Sequence, residues 1–135
     1  MVLLLDTNIW IKGLRQSNNA CQIILSHLGL FDVLFPAQVR QELSNNLSAL
    51  ETSLLYNLIH AAAGFLDFEP PPKQLVDHYY DKGLRKGDMI IAAFCEWRNV
   101  DVVVSTNRDF LRGISGEVPF KIMSPEHFCL QAKLL

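Results

Sequence analysis

Four apolar residues in a row, Val2 to Leu5, stop abruptly at Asp6-Thr7-Asn8. A strand with one face in water alternates apolar with polar residues, whereas a strand covered on both faces is apolar throughout, as in a parallel sheet. The run therefore predicts a central strand of such a sheet. Asp6, Thr7 and Asn8 can each cap a helix that begins near Ile9.

The rest of the chain alternates in the same way. Cys21, Ile24, Leu25 and Leu28 have helical spacing. Val33 to Phe35 reads as a short strand stopped by Pro36, and Pro36 fits the first turn of a helix through Val39, Leu43 and Leu47. Leu54, Leu55, Leu58, Ile59 and Ala62 mark a helix over Leu50 to Ala63, with Gly64 at its end. Phe65 to Phe68 is a third strand, and Lys73 to Asp81 a helix closed by Gly83. Gly87-Asp88 opens the most apolar helix, Met89 to Trp97. Asp101 to Val104 is a fourth strand and Phe120 to Met123 a weak fifth. Ser124-Pro125-Glu126 reads as the start of a last helix.

Strands alternating with helices predict an α/β fold: a three-layer sandwich with a mostly parallel sheet of four to five strands and helices on both faces. At 135 residues and 50% hydrophobic content, the chain is read as one domain over Met1–Leu135. Pro70-Pro71-Pro72 is read as a loop within it. No repeat or low-complexity segment is visible.

Several function classes fall away. Met1 to Leu5 is far shorter than the roughly 20 residues that span a bilayer. It also lacks a basic leader and a small-residue cleavage site, so a soluble, cytoplasmic protein with no membrane partner is expected. Cys21, Cys95 and Cys129 are odd in number and widely spaced, which fits small core hydrophobes better than disulfides or a zinc site. His27, His60, His78 and His127 are scattered and have no nucleophile partner. Neither a GxxxxGK[ST] loop nor a GxGxxG turn is present. The net charge of −2 and pI near 6.0 do not announce a nucleic-acid partner. They permit one if a bound cation and a local basic patch do the work.

The acids carry the functional signal. Asp6 follows the first strand directly. Asp109 lies just past the fourth strand, with Asn107 between, and Asp88 stands at the N-terminus of the buried helix that leads into that strand. Glu42 lies about one and a half turns into the helix after the second strand. In a parallel sheet these positions share the carboxyl-end rim, where ligands bind. Each acid alone reads as a cap, a turn residue or a solvated side chain. Together they would repel one another without a cation between them, and oxygen ligands of this kind select Mg²⁺ or Mn²⁺ over zinc.

These residues resemble the PIN domain family, and within it the small VapC-type toxins. Leu5-Asp6-Thr7-Asn8 looks like the family's first motif, Glu42-Leu43 like its glutamate, and Asp88-Met89-Ile90-Ile91-Ala92-Ala93 like its D-x-x-I-A-A stretch. Ser105-Thr106-Asn107-Arg108-Asp109-Phe110 is similar to its closing motif. The resemblance implies a Mg²⁺- or Mn²⁺-dependent endoribonuclease with Asp6, Glu42 and Asp88 around the metal and Asp109 as a further carboxylate. Thr7, Asn8, Ser105 and Asn107 would support them. It also implies an RNA substrate, an antitoxin protein as partner, and a homodimer. A groove for an antitoxin peptide is expected by the helices Cys21 to Leu28 and Leu50 to Ala63. Lys12, Arg15, Arg40, Arg85, Lys86 and Arg108 are candidate phosphate contacts. Many family members carry aspartate where this chain has Asn107. A neutral amide holds a second cation poorly, so one cation is expected and a second is left open.

Two other readings compete. One is a PIN-like module that binds RNA or protein without cutting, favoured by Asn107. The other is a phosphoacceptor signalling domain, which usually pairs acids after its first strand. Here Asp6 stands alone in that place, and Lys121 could serve as the late lysine.

Overall fold

Leu3, Leu4, Leu5, Val103 and Val104 are fully buried. Strands apolar on both sides can only lie in the middle of a sheet with helices on each face. That is the architecture of the computed structural model, which describes residues 1–112, 114 and 116–134. Strands β1 (Val2–Leu5), β2 (Asp32–Pro36), β3 (Phe65–Asp67), β4 (Val102–Val104) and β5 (Lys121–Met123) form a five-stranded sheet in the order β3-β2-β1-β4-β5. All four pairings are parallel, with Leu3 opposite both Val33 and Val102.

The helices are α1 (Thr7–Leu14), α2 (Asn19–Ser26), α3 (Ala37–Ser44), α4 (Ala49–Ala61), α5 (Lys73–Asp81), α6 (Lys86–Trp97), α7 (Arg108–Arg112) and α8 (Pro125–Gln131). Right-handed crossovers put the helices of the outward walk β1-β2-β3 on one face and those of the return to β4 and β5 on the other. Within the layers α1 packs on α2, α3 and α4, and α5 on α6; α8 joins α2, and α3 meets α6 across the division. Helix α6 carries the largest share of the second layer, with Ile91, Ala92, Ala93, Phe94 and Cys95 all buried.

Local chemistry sets the ends of these elements. Asp6 caps α1, which therefore begins at Thr7 rather than near Ile9. Ser48 and Glu51 form a capping box that starts α4, a serine–glutamate pair three apart that the apolar pattern alone passes over. Ser124 caps α8 with Pro125 in its first turn, as expected.

Some boundaries differ from the sequence reading. Pro36 is the last residue of β2, extended at φ −85° and ψ 165°, and it caps α3 instead of lying in its first turn. Helix α3 stops at Ser44, so Leu47 lies beyond it, although its amide still donates to the Leu43 carbonyl at 2.8 Å. At the end of α4 the left-handed residue is Ala63, at φ 54°, and not Gly64. This conformation costs an alanine roughly 1–2 kcal/mol. Gly64 serves differently: a β-carbon there would sit 2.9 Å from Ile59 Cγ2, while its amide reaches the Ile59 carbonyl at 2.8 Å. Helix α7 is absent from the sequence reading, because five residues are too few for a period to show.

The chain walks outward from β1 to β3, then crosses back to place β4 on the other side of β1. The β1–β4 seam is thus the switch point, and a crevice opens at its carboxyl end.

Candidate active site

Both central strands deliver a polar residue to that crevice. The Asp6 amide donates to the Val104 carbonyl at 2.9 Å, so Asp6 and Ser105 leave the sheet side by side. Asp6 is only 5% exposed and Ser105 is fully buried. The Ser105 hydroxyl donates to Asp6 Oδ2 at 2.7 Å, and the Thr7 amide donates to Asp6 Oδ1 at 2.8 Å. The aspartate is therefore held rigidly by a strand neighbour and by the first turn of α1.

Glu42 enters from α3. The Thr7 hydroxyl donates to Glu42 Oε1 at 2.6 Å, and the Gln38 amide donates to Oε2 at 2.6 Å from one turn earlier. Room for this carboxylate comes from α6, where Gly87 has no side chain: a β-carbon there would overlap Glu42 Oε2 and stand 2.9 Å from Gln38 Nε2. The preceding Lys86 is left-handed at φ 52°, a conformation costly for a lysine.

Asp88 lies one residue further into α6. Its Oδ2 accepts from Asn107 Nδ2 at 3.0 Å. Asn107 is itself fixed twice, its amide donating to Ser105 Oγ and its Oδ1 accepting from the Asp109 amide, each at 3.0 Å. The segment between β4 and α7 is thus tied to both aspartates.

Electrostatics link the acids into one cluster. Burial pushes the Asp88 carboxyl up to about 6, and the charges of Asp6 and Glu42 push in the same direction. Asn107 opposes the rise, and Asp109 adds a smaller push. Burial also raises Asp6, against the pull of Ser105 and the Thr7 amide, with Glu42 adding to the rise. Among the described residues, no lysine or arginine forms an ion pair with Asp6, Glu42 or Asp88. Negative charge is gathered here with no ion pair to offset it among the described residues.

The structure also says how a cation could be held. As the side chains stand, no three acidic, histidine or cysteine groups among the described residues are arranged around one ion. Both oxygens of Glu42 are engaged by Thr7 and Gln38, and Asp109 is exposed at the margin. Asp88 Oδ1 accepts no hydrogen bond among the described residues, and each Asp6 oxygen accepts one and keeps a lone pair. Two carboxylates completed by water is the donor set that Mg²⁺ takes. The residues fit one such cation, with Glu42 behind them.

The remaining sequence candidates separate clearly. Asn8 is exposed and lies outside the hydrogen-bond network, whereas Thr7 bridges α1 to Glu42. Arg85 and Arg108 line a depression of about 610 Å³ that begins at Asp88. Lys86 is exposed beside it, and Lys12 is partly buried in α1. Arg15 is committed to Glu51 at 2.8 Å, and the Arg40 guanidinium lies over Phe68 at 4.8 Å. Gln38, Gly87 and Arg112 are functional candidates that sequence reasoning missed. Gln38 lay in reach, since it stands four residues before Glu42 on one helical face. The need for glycine at position 87 comes from α3, which no local pattern reveals.

A parallel five-stranded sheet in the order β3-β2-β1-β4-β5, with acids gathered at its switch point, defines an α/β sandwich whose ligand crevice lies at the carboxyl edge. The PIN domain family model matches residues 3–113, and the chain belongs to that family, whose members are generally nucleases. Two solved structures share the fold. VapBC2 from Rickettsia felis, crystallised with a DNA fragment from its promoter, superposes with a TM-score of 0.65 at 18% identity, covering 90% of this chain and 97% of that one. PAE2754 from Pyrobaculum aerophilum gives 0.62 at 16% identity over the full length of both chains. Among curated protein sequences, none is similar enough to match. Among the described residues, no helix is long and apolar enough to cross a membrane.

Proposed function

We propose that this protein is a Mg²⁺- or Mn²⁺-dependent endoribonuclease that hydrolyses RNA phosphodiester bonds. The observation that carries the reading is the pair Asp6 and Asp88 at the switch point, both with raised pKa values and neither in an ion pair among the described residues. Asp6 and Asp88 would hold the cation, which supplies when bound an activated water and neutralises charge on the phosphate. Ser105 and Thr7 keep Asp6 in one orientation, and Asn107 does the same for Asp88. Glu42, fixed by Thr7 and Gln38, orients water or accepts its proton at the edge of the pair.

The test is cleavage of single-stranded RNA with Mn²⁺, with Mn²⁺ removed by chelation, and by the variants Asp6→Asn and Asp88→Asn. Cleavage that needs Mn²⁺ and disappears in both variants supports the reading. Metal-independent cleavage, or unchanged activity in the variants, refutes it.

The biological setting we propose is the toxin of a toxin–antitoxin pair. One solved relative is a VapBC complex on promoter DNA. A groove of about 650 Å³ runs between α1, α2 and α4, lined by Leu14, Ile23, Leu25, Leu54 and Leu58. It lies by the helix pair expected to seat an antitoxin peptide, and its apolar floor suits an amphipathic helix. Growth arrest on expression, relieved by a neighbouring small gene, tests this part separately.

A further inference from the structure

Beyond the acid cluster, the depression that Asp88 lines is also lined by Arg85, Arg108 and Arg112, together with Asp109, Gly83 and Leu84. Among the described residues its arginines form no ion pair, unlike Arg15 and Arg98. Arg15 and Arg98 are neutralised by Glu51 and Asp67 at 2.8 and 2.7 Å. Arg108 and Arg112 are exposed and form no ion pair among the described residues. Arg85 is pre-positioned rather than paired. Its Nη1 donates to the carbonyls of Tyr80 and Leu84 at 2.9 and 2.8 Å, and its guanidinium lies 4.0 Å from the centroid of the Tyr80 ring. The ring fixes the plane of the fork, and its other N–H groups stay available for an acceptor. Three arginines and two aspartates, Asp88 and Asp109, line the hollow and leave it with a net positive charge, next to the carboxylates of Asp6 and Glu42.

We propose that this hollow is a second phosphate subsite: it holds a backbone phosphate of the RNA strand next to the one that meets Asp6 and Asp88, so the strand leaves the acid cluster over α6 and α7. The proposal deepens the nuclease reading and rests on it for the identity of the strand. Arg108 and Arg112 meet the phosphate, and Arg85 is the positioned fork. Guanidinium suits this task because its paired donors match phosphate oxygens. An acidic protein can in this way hold a polyanion through one local patch despite its net charge of −2.

The experiment measures binding of a short fluorescein-labelled single-stranded RNA by anisotropy across a salt series, without divalent metal, alongside Mn²⁺-dependent cleavage. The variants are Arg108→Ala/Arg112→Ala, the charge-keeping Arg108→Lys/Arg112→Lys, and Arg15→Ala as a charge control on another face. The double alanine variant is expected to bind about tenfold more weakly, with a salt slope shallower by about 0.7 for each phosphate that it no longer neutralises. The lysine pair recovers the slope, and Arg15→Ala keeps it. A wild-type slope in the double alanine variant, or an equal loss in Arg15→Ala, overturns the subsite, since the strand would then be held elsewhere or by diffuse charge. A wild-type protein that binds with the expected slopes but never cuts leaves the subsite standing and removes the nuclease reading. Cleavage with unchanged slopes does the reverse.

Discussion

Gly87 of α6 lies against the carboxylate of Glu42 on α3, so closely that a β-carbon at position 87 would overlap Glu42 Oε2. The contact joins the two helices that bring acids to the crevice. It makes the position of Glu42 depend on a residue from the opposite layer of the sandwich.

Gly87→Ala should separate position from stability. The new methyl meets the ends of flexible side chains, Glu42 and Gln38, and not backbone. Alanine is also the better helix former by roughly 1 kcal/mol. The melting temperature should therefore change little, while cleavage falls about tenfold or more as Glu42 is displaced. Glu42→Gln tests the same step through charge. If both Gly87→Ala and Glu42→Gln cut RNA as the wild type does, Glu42 has no part in the reaction.

Asp88 gives a pH signature. Its folded-state value of about 6 lies above the ordinary 3.8, so the native state binds this proton more tightly than the unfolded chain does. The stabilisation is complete below about pH 4 and is lost as the pH rises through about 6. Metal-free protein should therefore melt at a lower temperature at neutral pH than near pH 4, as far as this group is concerned. Asp88→Asn should flatten that dependence and raise the neutral-pH melting temperature. Mn²⁺ should stabilise the wild type by about 2.7 kcal/mol at a hundredfold excess over its dissociation constant, and Asp88→Asn far less. Thermal melts across pH with and without Mn²⁺ decide it.

The fold was largely legible because its signals are local and redundant. The fully apolar Val2 to Leu5 and the valines of β4 report burial on both faces, and strand–helix alternation does the rest. What failed was punctuation set by tertiary contact. Pro36 extends β2 because Asp67 of β3 pairs with it, and Ala63 accepts a left-handed turn beside a glycine. In the site, Asp6 and Asp88 could be read from position on the sheet. Glu42 could be placed near the rim, but not its fixation by Thr7 and Gln38, nor the space that Gly87 leaves for it. The basic residues were the least legible. Arg15 and Arg108 look alike in sequence, and only the fold puts Glu51 beside one and an open hollow beside the other.

Ser105→Ala tests whether Asp6 is held for chemistry or merely for packing. The substitution removes the hydroxyl that donates to Asp6 Oδ2 at 2.7 Å and accepts from the Asn107 amide at 3.0 Å. Losing a buried hydrogen bond to a charged group should cost about 1.5–3 kcal/mol. The hydroxyl also holds the Asp6 pKa down, so its loss raises that value further. The acid limb of the cleavage profile should move to higher pH, and activity at saturating Mn²⁺ should recover as the pH is raised. A loss of activity independent of pH would instead mean that Ser105 acts only through the fold.

Asn107→Asp addresses the number of cations. Asn107 Nδ2 donates to Asp88 Oδ2, so an aspartate here loses a donor and adds a negative charge to a cluster where Asp6, Glu42 and Asp109 already raise the Asp88 pKa. Without metal the variant should be less stable than the wild type at neutral pH, and Asp88 should titrate higher still. With metal the order should invert, because cation affinity follows ligand charge, and Mn²⁺ should bind about tenfold more tightly. Calorimetric titration gives both affinity and stoichiometry. One Mn²⁺ in the wild type and two in the variant would identify Asn107 as the residue that keeps this site to a single cation. Two in the wild type would show that the amide imposes no such limit, and that a second ion is held from the Asp88–Asp109 side.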